Sequence, residues 1–301
     1  MERRKSIEMA LNKIKIKPID IPDSLLFYDE DILTKERINF LIPIMPSDKE
    51  YDEVSLKTEN LEREEDFSEC DLFVVLVGCI KYNKERLQAI QFKNNYSKQC
   101  KEALKLIQQV LKGFDFVKND NNFHRFLEIL SEQGNPMLDE SDKGGSFGFK
   151  LSSLPKLYDM KSNIGECNLF QYIIQFIMER VDKKIFSFMA NLKLFDKIQI
   201  TKVKELYNSL KDNFKSVETL KKMLEKEKDD LNEDDRTEEF LQGFYDNANK
   251  NIQLVEKNFN SINSKYINIS ELLGLNEVNI EKFFSIMTEL HFKISEVLKA
   301  Y

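Results

Sequence analysis

The residues with the strongest claim to chemistry sit in one glycine-rich stretch. Gly144-Gly145-Ser146-Phe147-Gly148 matches Gly-x-Ser-x-Gly, the pattern by which hydrolases lift a nucleophilic serine on a strand-to-helix turn. That chemistry needs a sheet beneath the serine and a histidine base. The preceding residues, DESDK at 139–143, are polar and do not read as a strand, and the only downstream histidine is His291. The same glycines lack the Lys-Ser/Thr that would make them a phosphate-binding loop. His124 and His291 stand apart from Cys70, Cys79, Cys100 and Cys167, and no two cysteines have zinc-site spacing. The run Glu62-Arg63-Glu64-Glu65-Asp66 reads as a solvated face rather than an acid–base pair. No catalytic residue, cofactor or metal is therefore expected. By elimination the chain is a binding or assembly protein, not an enzyme.

Charge narrows the partners. With 52 acidic and 45 basic residues the formal charge is −7, which argues against a general nucleic-acid binder. Cations nevertheless cluster locally: Lys150, Lys156 and Lys161 in one segment, and Lys81, Lys84 and Arg86 in another. The scattered cysteines read as reduced thiols. The basic start MERRKSIEMALNK has no apolar run behind it, and no stretch has the length of a membrane span. A cytoplasmic protein is expected.

Helices must position these residues. Apolar residues recur at three and four positions almost throughout, and only nine Gly and six Pro interrupt them, a pattern that predicts an all-α fold. Short helices are expected between residues 7 and 46, broken by Pro18, Pro22 and Pro46, with Thr34 capping one start. Further helices are expected at 70–80, 84–92, 97–112 and 122–133. A long loop follows at 134–149, then helices at 151–158 and 166–181. Val203, Tyr207, Leu210, Phe214, Val217 and Leu224 form one stripe, interrupted by Lys221. Leu241, Phe244, Ala248, Ile252, Val255, Phe259, Ile262 and Tyr266 form another. Joined by the charged stretch 225–239, they read either as an antiparallel coiled-coil hairpin or as ordinary bundle core. A last amphipathic helix is expected over 278–299.

The segment 134–161 resembles the signature of the formin homology-2 family. Its GNPML, GGSFGFKLSSLPKLYDMKS and following NLFQYIIQFI are similar to that family's Gly-Asn-x-Met-Asn, Gly-x-x-x-Gly-Phe-like, Lys-Leu, Asp-x-Lys-Ser/Ala and Leu-Leu-His-x-Leu elements. Leu33-Thr34, Met45-Pro46, Phe73, Gly78, Arg86-Leu87, Ala89-Ile90, Phe92 and Phe283-Phe284 extend the likeness colinearly over residues 4–300. Departures fall at Leu138 and Glu140, at Gln171 in place of the helix histidine, and at Met9, which stands where the family has an actin-contacting isoleucine.

The resemblance implies an elongated helical formin homology-2 fold as a single domain. Residues 4–110 would be the knob, 111–195 the post, and 196–301 the coiled-coil hairpin and C-terminal helix. It implies actin binding at filament barbed ends, with nucleation and processive elongation when dimeric, and a place in the cytoskeleton. Met9, Lys161, Arg86 and Lys156 are the implied actin-binding residues. Gly134, Asn135, Met137, Gly148 and Phe149 would shape the post that receives a partner's lasso. The chain has no tryptophan and no segment ahead of Arg4 for such a lasso. A homodimer is thus expected only for the complete domain, and profilin binding only through segments outside this chain. Set against these implications, Met9 also reads as plain helix packing and Arg86 as a helix-surface ion-pair partner. A helical scaffold that kept the fold without actin assembly is the alternative function.

Overall fold

A computed structural model describes residues 2–59, 67–138, 151, 154–161, 167–227, 235–275 and 278–300, the side chains of 134–138 excepted. Thirteen α-helices account for most of these: α1 Glu2–Ile14, α2 Asp20–Phe27, α3 Lys35–Leu41, α4 Asp48–Thr58, α5 Glu69–Gly78, α6 Asn83–Asn119, α7 Asn121–Leu138, α8 Leu154–Asp159, α9 Leu169–Arg180, α10 Met189–Leu192, α11 Ile200–Lys226, α12 Thr237–Leu272 and α13 Ile280–Ala300. Short 3₁₀ turns follow α3 and flank α10. Among the described residues the only β pairing is one isolated bridge, Lys161 with Asn168. The fold is all-α.

Polar caps set several helix starts. Thr34, Ser47 and Ser68 each accept the backbone N–H three residues on, opening α3, α4 and α5. Asn168 and Gln171 form a reciprocal capping box at the head of α9. The residue standing in for the family histidine thus has a local structural task.

Residues 1–101 and 208–254 pack as one compact unit; residues 102–207 and 255–301 form a second. In the first, α1 buries Ile7, Ala10, Leu11 and Ile14, a single helical face, against Ile21 and Leu25 of α2, Ile38 and Leu41 of α3, Phe73 and Val77 of α5, and Leu87 and Ile90 of α6. Gly78 ends α5 where a Cβ would lie 2.7 Å from the Tyr51 ring, so glycine permits α4 to approach this closely. The α11 and α12 stripes face α6 as well as each other: the Phe92 ring lies 6.2 Å from Phe214 and 6.3 Å from Phe244. In this unit they are bundle core. Leu220 takes the buried position beside Lys221, whose ammonium instead reaches Gln242 (3.1 Å) and the Tyr245 ring.

The second unit has an aromatic core. Phe114, Phe123, Phe126, Phe170, Phe188, Phe195 and Phe283 are all fully buried, with edge-on contacts such as Phe123–Phe188 at 5.6 Å. Residues 183–197, where the sequence predicts no helix, bury Phe186, Phe188, Leu192 and Phe195 from short turns rather than from one long helix.

Two expectations about elements change, and one helix is new. The helices at 84–92 and 97–112 are one, because Phe92 and Tyr96 stand four apart and carry the buried stripe through Asn94-Asn95. Helix α7 continues to Leu138, so the expected loop begins later than residue 134. Helix α4, with buried Thr58 as its most enclosed residue, has too little apolar periodicity to announce itself.

Candidate functional site

Helix α1 presents Met9 outward. With Ile7, Ala10, Leu11 and Ile14 turned inward, the 100° step per residue sends Met9 to the opposite side, where it is 62% exposed. Two arginines hold the helix in place. Arg3 donates to the carbonyls of Pro43 (2.8 Å), Ile44 and Met45 (both 3.0 Å), and to both Glu50 oxygens. Arg4 pairs with Asp71, which also receives the Ser68 hydroxyl. Lys13, one turn beyond Met9, lies 5.0 Å over the half-exposed Phe40 ring. Met9 is not core packing here.

Arg86 occupies a different environment. Its side chain is 1% exposed and that of its partner Asp235 is 3% exposed. The guanidinium donates through Nη1 to Asp235 Oδ1 (2.8 Å), through Nη2 to Asp235 Oδ2 (2.6 Å), and through Nε to the Lys81 carbonyl (2.8 Å). Nη1 also donates to the hydroxyl of buried Thr237. Burial alone would raise the Asp235 pKa, but hydrogen bonds from Arg86 and Thr237 outweigh it and hold the carboxyl below its ordinary value. Tyr28 completes the cluster, its ring stacked on Phe240 at 3.8 Å. Burial pushes its hydroxyl's pKa well up, with Thr237 and Arg86 pulling the other way. The guanidinium is therefore a buried ion-pair partner with no face toward solvent, and a direct contact between Arg86 and an external partner does not fit this geometry.

In the second unit Lys156 lies exposed on α8 and Lys161 exposed just after it, where the bridge to Asn168 and the bond from Leu169 N–H to the Met160 carbonyl (2.8 Å) pin the chain. Leu154 anchors α8 beneath, and Tyr158 meets Phe170 edge-on at 4.8 Å. Gly134, Asn135 and Met137 fall in the last turn of α7, their side chains outside the described residues. Ser146, Gly148 and Phe149 also lie outside them.

Asp235, Thr237 and Tyr28 were not foreseen. The available signal was Asp235-x-Thr237-Glu238-Glu239, a capping sequence ahead of the apolar run at Phe240, which reads from sequence as part of a charged connection.

The Formin Homology 2 Domain model matches residues 1–293. The chain belongs to that family. Relatives agree across this Formin Homology 2 domain. It is 26% identical to mouse protein diaphanous homolog 3 over 98% of this chain and 25% of that protein. It is 24% identical to disheveled-associated activator of morphogenesis 1-A of Xenopus laevis over 72% of this chain and 20% of that one. Formin-like protein 13 of Arabidopsis thaliana is 24% identical over 66% of this chain and 16% of its own length. The chain spans about a quarter or less of these relatives. No helix among the described residues of the domain is long and apolar enough to cross a membrane.

Proposed function

We propose that this Formin Homology 2 domain assembles actin, binding filament barbed ends and, when dimeric, nucleating and elongating filaments processively in the cytoskeleton. The observation that carries the reading is the outward Met9: within a chain of this family, an exposed methionine on a rigidly held helix stands at the position implied to contact actin. A flexible apolar side chain suits insertion into an apolar cleft. Lys161 and Lys156 supply exposed cations on the expected post, where an acidic partner would meet an otherwise acidic protein. Gly134, Asn135, Met137, Gly148 and Phe149 keep the lasso-receiving role that the resemblance implies. Arg86 leaves the contact set and supports the knob from within.

Pyrene-actin elongation from filament seeds tests this. Lys161→Ala should keep full helicity and weaken barbed-end binding by about 1–3 kcal/mol. Met9→Asp should weaken it from the knob side by bringing a charge to an apolar cleft. Wild-type protein that leaves nucleation and elongation untouched would favour the inert helical scaffold. Wild-type activity that survives both substitutions would retain the family function and reject these residues.

A further inference from the structure

We infer that Arg86 and Asp235 are positioning residues: their buried pair sets a single register between the hairpin arms and the helices that present Met9. This rests on the reading of Met9 as a partner contact.

The pair is a poor device for stability alone. Removing two charges from water is costly, and an apolar pair of similar volume would often serve as well. What a bidentate guanidinium–carboxylate fork adds is direction, because two parallel bonds fix distance and angle together. Here four guanidinium bonds reach separate places. The Lys81 carbonyl precedes α6, while Asp235 and Thr237 come from the head of α12. Asp235 also accepts the Thr237 N–H at 2.9 Å, so the carboxylate is oriented from its own segment as well as by Arg86.

Neighbouring contacts extend the clamp. The Arg236 N–H donates to the Leu26 carbonyl at the end of α2 (3.1 Å), beside the Tyr28–Phe240 stack. At the other arm, Glu227 accepts from the Tyr82 hydroxyl (2.6 Å) and the Lys81 ammonium (3.0 Å). Residues 81–86 thus hold the end of α11 and the head of α12 together.

The path to Met9 is short. Leu87 and Ile90, the next turns of α6, lie in the core that includes Ile7, Ala10, Leu11 and Ile14, and Phe240 packs against that core. Apolar surfaces alone tolerate small slips between helices, since the hydrophobic effect is non-directional. The buried fork penalises any slip by separating desolvated charges.

A neutral replacement separates positioning from mere folding. The variant carrying Arg86→Met and Asp235→Asn leaves no buried charge unpaired, and the carboxamide introduced at position 235 can still accept the Thr237 N–H. On the full chain we expect a thermal midpoint below wild type but above that of Asp235→Ala, because the Lys81 carbonyl loses its donor and the new carboxamide N–H groups lack acceptors while no charge is stranded. We also expect faster hydrogen exchange at residues 22–30 and 236–244, and barbed-end affinity reduced by about tenfold. Asp235→Glu, which keeps the charge, should recover part of that affinity relative to the neutral variant. Unchanged exchange in the neutral variant would overturn the single-register claim. Altered exchange with unchanged affinity would overturn the link to Met9. If wild type does not bind filament ends at all, the actin reading fails and the positioning role with it, while the exchange data still judge the clamp.

Discussion

Asp235 is a carboxylate that burial should make less acidic and that its neighbours make more so. Its pKa lies below the ordinary 3.8 because Arg86 and Thr237 bond to the charged form. The stabilisation it contributes is therefore complete above that pH and fades as pH falls through the depressed folded value. Asp235→Ala strands Arg86 without a counter-charge, and should cost about 3–5 kcal/mol at neutral pH. Urea unfolding at pH 7 and again near pH 3 checks both statements: the penalty should be large at the first and smaller at the second. A penalty independent of pH would mean that packing, not charge, holds the cluster. From the sequence only an ion-pair role for Arg86 was legible, not its burial or its partner. Arg86 shows a helix-surface pattern there, and its partner lies inside a stretch that reads as solvated connection. Met9 was partly legible: the spacing of Ile7, Ala10, Leu11 and Ile14 sends it outward, yet from sequence alone plain helix packing stayed open.

Helices with strong apolar stripes were legible as elements, and their junctions were not. Helices α11, α12 and α13 follow the three-and-four spacing of their buried residues closely. In contrast, Asn94-Asn95 imitates a break in α6, because polar residues on an exposed face carry the same signal as a turn. Helix α4 has almost no buried side chain and is held by its Ser47 cap and by the approach of α5 at Gly78. That approach makes a specific prediction. Gly78→Ala places a Cβ against the Tyr51 ring at 2.7 Å, so α4 and α5 must separate. A loss of about 1–3 kcal/mol is expected from such overpacking. Thermal unfolding measures it, and a midpoint at or above wild type would show that Tyr51 swings aside freely.

At the scale of the molecule, an acidic protein of formal charge −7 is proposed to approach a partner through a few exposed lysines. Its association should then be salt-sensitive in a residue-specific way. Raising ionic strength from about 0.05 to 0.3 M shortens the screening length and should slow wild-type association with filament ends. The slope should flatten for Lys156→Ala and Lys161→Ala but not for Met9→Ala. Equal slopes in all four proteins would assign the charge dependence elsewhere. The same scale shows what the Arg86–Asp235 pair asks of a growing chain. The two residues stand 149 positions apart, and the first compact unit is completed only by residues 208–254. During synthesis, residues 1–101 emerge long before the strip that finishes their core. Until then Arg86 has no counter-ion and Tyr28 no Phe240 to stack on. Closing so long a loop is entropically slow to be rewarded, and an unfinished core of this kind is exposed to aggregation. Nascent chains of this protein should therefore be most dependent on chaperones in the interval between the emergence of α6 and that of α12.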